Sequence, residues 1–110
     1  MEIAADKVGE VILLAREIAQ EMPGADAQLE GLVDGMEEDE ILDLVALLWV
    51  GRGDFDPEEW DEARETARDE QDIPVAQYLK NQPLLADHLE AGLDAMGVSV
   101  RDAEDDATTP

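Results

Sequence analysis

Residues Ile41 to Trp60 read ILDLVALLWVGRGDFDPEEW. From Leu44 to Val50 every side chain is apolar, and at helical spacing these side chains point to all sides of the cylinder rather than along one stripe. A helix of that kind belongs in the middle of a bundle. A buried strand is the competing assignment, and the residues ahead of the run decide against it. Glu37-Glu38-Asp39-Glu40 loads a first turn with carboxylates, which the positive end of a helix dipole favours. The pattern predicts a helix from about Asp39 to Val50. Gly51 or Gly53 then closes it in the left-handed conformation, with Arg52 over the freed carbonyls of the last turn. Asp56-Pro57-Glu58-Glu59 starts the next helix: an N-cap carboxylate, a proline where a missing N–H costs nothing, and a glutamate placed to complete a capping box.

Upstream, Val8, Val11, Ile12, Ala15, Ile18, Ala19 and Met22 recur at three- and four-residue steps with Asp6, Glu10, Glu17 and Glu21 on the other side. This spacing predicts an amphipathic helix of four to five turns ended by Pro23-Gly24. Leu13 falls among the acidic residues, as one exposed leucine or as a homodimer contact. Residues 25–36 fit either a two-turn helix or an irregular connection.

Downstream, the helix begun at Asp56 runs to about Gln71 with a thin inward side of Trp60, Ala63 and Ala67. Asp61 with Arg64, and Glu65 with Arg68, are spaced for surface ion pairs. A short helix follows Pro74 through Val75, Ala76, Tyr78 and Leu79. The last helix carries Leu84, Leu85, Leu89, Gly92, Leu93 and Met96 on one broad face and closes at Gly97. Gly92 in the middle of that face implies close backbone packing, for which the Ala63/Ala67 side is the expected partner. The fold class is therefore all-α, a small single-domain bundle of four to six helices around the central helix at about 39–50, spanning 1–97. Residues 98–110 read as a disordered acidic tail.

Charge narrows the function. The chain has 30 Asp plus Glu against 7 Lys plus Arg, a formal net charge of −23. That field opposes direct binding to nucleic acid and to anionic membrane, and it favours basic protein partners; surplus carboxylate is also a known adaptation to salty cytoplasm. No cysteine is present, which excludes thiolate sites and is compatible with the cytoplasm. The N-terminal segment, interrupted by charges, reads as neither signal peptide nor membrane span.

Candidate chemistry is sparse. Counting from Asp54, DFDPEEWDEARE places acids as a calcium loop would, but Glu59 stands where that loop needs glycine, and the capping box explains the same letters. One histidine, His88, and no cysteine leave no zinc or iron ligand set, so no metal or cofactor is expected. Gly51-Arg52-Gly53 lacks the lysine and hydroxyl of a phosphate-binding loop, and Arg52-Gly53-Asp54 matches an adhesion tripeptide at the level of chance. Trp49, Phe55 and Trp60 bracket the glycine corner, where aromatics fix a helix crossing; with Arg52 and Asp54 beside them, they also offer a binding rim.

At LVALLWVGRGDFDPEEW and AQYLKNQPLLADHLEAGL the chain resembles a small bacterial family of uncharacterised helical proteins. Its common pattern is a leucine-rich helix, a tryptophan, Gly-Arg-Gly-Asp, an acidic helix and a closing Pro-Leu-Leu-Ala-Asp segment. The resemblance runs from about Leu32 to Gly97 and implies kinship without an activity. The leading reading is a non-enzymatic cytosolic interaction or regulatory module that binds through Trp49, Arg52, Asp54 and Phe55 or through its acidic surface. A second reading gathers Arg52, Asp54 and His88 at one pocket of a small-ligand-binding or low-turnover enzyme domain. A third is a mimic of nucleic-acid charge that occupies a basic protein.

Overall fold

The computed structural model describes residues 1, 3–70 and 74–98. Among the described residues, six α-helices and one 3₁₀ turn make up the fold: α1 (Ala5–Ala19), α2 (Ala25–Asp34), α3 (Glu38–Arg52), the turn Pro57–Glu59, α4 (Trp60–Asp69), α5 (Val75–Lys80) and α6 (Leu85–Ala95). The described residues contain no strand.

Helix α3 is the centre. Leu42 through Val50 are buried without interruption, as a helix apolar on all sides requires. Its broadest packing is against α6, then α4, while α1 covers α2 and α6, and α2 covers α5. At the start of α3 a capping box forms, with Glu40 Oε1 accepting the Glu37 backbone N–H at 3.1 Å. The helix runs two residues past the expected Val50, so Gly51 lies inside it and Gly53, at φ 86°, is the closing residue. Gly53 N–H bonds to Val50 O and Asp54 N–H to Trp49 O, the paired pattern that satisfies a helix's last carbonyls. The Asp56 box also forms, with Glu59 Oε1 accepting Asp56 N–H at 2.8 Å, although the turn it caps is 3₁₀ before α4 begins.

The expected partner of Gly92 is corrected. An alanine Cβ at Gly92 would stand 2.3 Å from the Leu47 carbonyl oxygen, and one at Gly51 would overlap the His88 carbonyl. These two glycines bring the α3 and α6 backbones together, and α4 is not the surface that Gly92 meets. Ala63 and Ala67 are buried, as expected, on the side of α4 that faces the core.

Other boundaries moved for local reasons. Helix α1 stops at Ala19 because Glu21 adopts φ 59°, with Glu21 N–H on Ile18 O and Met22 N–H on Glu17 O. That turn leaves Met22 half-exposed instead of on the apolar face. Leu13 is half-buried rather than projecting freely. Residues 25–34 form a regular helix seated by Ala25, Leu29 and Val33. The tail expected at 98–110 is corrected at its first residue, since Val98 packs against the core and bonds to Leu93 O around the left-handed Gly97; residues 99–110 lie outside the described residues.

Candidate functional site

The glycine corner after α3 brings four of the expected residues together. The Trp49 and Phe55 rings stack with centroids 5.7 Å apart and planes at 28°. Trp49 is buried, and its indole N–H donates to Tyr78 Oη at 2.9 Å. Arg52 donates to Tyr78 Oη at 3.3 Å and to Gln82 Oε1 at 3.1 Å, and its other terminal nitrogen pairs with Asp54 at 2.9 Å. The guanidinium therefore ties the end of α3 to α5 and the α5–α6 turn, rather than covering the last carbonyls of its own helix. An open groove of about 320 Å³ lies over this corner, lined by Trp49, Arg52, Asp54, Phe55, Thr66, Glu70 and Tyr78. His88 is not among its lining residues; its backbone carbonyl sits against Gly51 at the α3–α6 crossing.

Tyr78 and Gln82 were passed over as polar anchors of the corner. Nothing local marks them, since Tyr78 sits on a helix that reads as a short apolar element, Gln82 lies in the turn after it, and their partners lie 26 to 30 residues away.

A second polar cluster was also missed. Asp43 is fully buried in the middle of α3. Its Oδ2 accepts the Ile3 backbone N–H at 2.9 Å, and its Oδ1 lies 2.8 Å from Arg64 Nε. Arg64 also reaches Asp39 at 3.3 Å, and Arg68 reaches Glu38 at 3.6 Å. The arginines of α4 thus cross to α3 instead of pairing along their own helix with Asp61 and Glu65. A buried carboxylate needs such partners, because an isolated charge in the core is expensive.

The cations are otherwise engaged on the chain's own acids. Lys7 meets Glu40 at 2.6 Å, Lys80 meets Glu30 at 2.7 Å, and Arg16 bonds Glu90. The Glu40 hydrogen bond raises the Lys7 ammonium above its ordinary value. Reciprocally, the Lys7 hydrogen bond, helped by the Glu37 N–H, holds the Glu40 carboxyl below the usual range. Glu58, Glu59, Asp61, Glu62, Glu65 and Asp69 stay exposed on α4 and the turn before it. Among the described residues no group of three or more His, Asp or Glu side chains is placed to hold a metal ion. No helix there is long and apolar enough to cross a membrane.

Fold and surface together define a small, single-domain, all-α acidic protein. The chain belongs to the family described as a protein of unknown function (DUF3775), whose model matches residues 26–98. That span takes in α2 to α6 and includes both of the quoted motifs. No curated protein and no solved structure matches the chain.

Proposed function

We propose that this chain is a non-enzymatic interaction module that docks a basic protein surface on the outward face of α4, beside the Trp49, Arg52, Asp54 and Phe55 corner. One observation carries the reading: every lysine and arginine among the described residues is paired with a carboxylate of the chain itself. The outward face of α4 keeps Asp61, Glu62, Glu65 and Asp69 exposed, and the groove of the corner opens alongside through Thr66 and Glu70. A basic partner is drawn to such a field, and the stacked aromatics supply an apolar floor next to it. With no cysteine to protect or oxidise, a cytoplasmic setting suits the module.

The test uses lysine- and arginine-rich peptides as probes, titrated against the full chain at low and near-physiological salt. Affinity is expected to fall as salt rises. A Glu62→Lys/Glu65→Lys variant should lose more affinity than Glu10→Lys/Glu17→Lys, which reverses the same charge on α1. Equal losses from both variants would mean that the peptides sense net charge alone, and the α4 assignment would be wrong.

A further inference from the structure

A second groove, of about 350 Å³, lies between the C-terminal half of α1, the end of α5 and the start of α6, and touches the corner only through Gln82. Its walls are largely apolar and include Ile18, Ala19, Leu79, Pro83 and Leu84. Leu84 is 65% exposed, the most open large apolar side chain among the described residues. Its backbone also sits at φ 58°, a left-handed conformation that glycine and asparagine adopt readily and leucine rarely does. Within one chain this leucine buries little and strains its own backbone. A residue kept on those terms is explained by what it contacts outside the chain.

Charge selects the occupant. Two copies of a chain with net charge −23 repel each other across most of their surfaces. At this face two cations, Arg16 and Lys80, line the groove together with Asp87, each paired within the chain, to Glu90 and Glu30 respectively. A patch carrying both signs can meet itself with opposite charges opposed. It also bears an apolar knob and an apolar hollow side by side, which is what an isologous contact needs. We infer that this face is the interface of a homodimer, with Leu84 of each protomer seated in the groove of the other. The contact is separate from the α4 surface and from Leu13.

Sedimentation of the full chain from about 1 µM to about 1 mM, the range of weak to moderate affinities, reads the association directly. Dimer should grow with concentration and strengthen as added salt screens the mutual repulsion, the opposite salt dependence from docking of a basic partner. The two readings therefore fail separately. Leu84→Asn keeps a residue suited to the left-handed backbone, and Ala19→Arg fills the groove from an exposed position. Each should weaken the dimer roughly tenfold or more, while dilute samples melt as the wild type does. A chain that stays monomeric across the whole range at high salt overturns the inference. So does a dimer that both variants retain, or a monomer whose groove takes up an amphipathic helix of another protein instead.

Discussion

Replacing Gly92 by alanine sets two effects of known sign against each other at a single atom. Alanine is the better helix former, and in an open helix the change stabilises by about 1 kcal/mol. At Gly92 the new Cβ would stand 2.3 Å from the Leu47 carbonyl oxygen and 3.0 Å from its carbon, where ordinary contact begins near 3.4 Å. The obstacle is main chain in the buried middle of α3, which has no rotamer to change. The two helices must part by roughly 1 Å, opening the broadest interface of the fold. Overpacking of softer side-chain contacts already costs about 1–3 kcal/mol, so the clash outweighs the propensity and the net loss is about 2 kcal/mol. In a domain of this size that lowers the melting temperature by roughly 10 °C. Gly51→Ala meets the His88 backbone still more closely and should lose about 3 kcal/mol or more. Gly31 supplies the control: it is exposed in α2, nothing lies within 4 Å of its would-be Cβ, and alanine there should gain about 1 kcal/mol. Thermal and urea unfolding followed by circular dichroism measures all three. If Gly92→Ala melts at or above the wild type, or moves in the same direction as Gly31→Ala, the close crossing of α3 and α6 is wrong.

The buried pair of Asp43 and Arg64 should show strong coupling. Asp43→Leu and Arg64→Met each lose about 3 kcal/mol in urea unfolding because each strands the other's charge, and the double variant should lose clearly less than their sum. At the corner, Tyr78→Phe removes the acceptor of both the Trp49 indole N–H and Arg52, at a cost of about 1–2 kcal/mol and with a shift in tryptophan fluorescence. The Lys7–Glu40 pair predicts a pH dependence at both ends. Glu40 has its folded value lowered, so its contribution is whole above the unfolded carboxylate pKa and is lost as pH falls through the folded one. Lys7 has its folded value raised, so its contribution holds below the unfolded lysine pKa and is lost as pH rises through the folded one. Carboxyl NMR should place the Glu40 midpoint below that of a free glutamate, and Lys7→Ala should bring it upward.

The elements legible in the sequence were those with local causes. Glu37 to Glu40 announced a helix start by placing carboxylates at the positive end of the dipole, and Asp56 to Glu59 announced another by a capping box, which needs only residues three apart. Gly97 ended α6 because a left-handed residue suffices to stop a helix. The end of α1 was misread for a related reason: Glu21 took a left-handed turn ahead of Gly24, which is left-handed as well but opens α2, and no residue type advertises the choice at Glu21. At the candidate site, the stacking of Trp49 on Phe55 and the pairing of Arg52 with Asp54 join near neighbours and were foreseeable. Tyr78 and Gln82 join the site from across the chain and were not.

The sequence by itself determined that this protein is all-helical and that Leu44 to Val50 lies at its centre, because an all-round apolar helix has no stable place except among other helices. It also determined the excess of carboxylate that any partner must meet. The tertiary structure alone decided that Gly92 rests on Leu47, that Arg64 answers a buried Asp43, and that Leu84 stands out beside an apolar groove. Each of these depends on which helix lies against which. Helical periodicity tells a side chain which way to face and leaves open what it will find there, since contacts between distant segments are set by how the whole core fills.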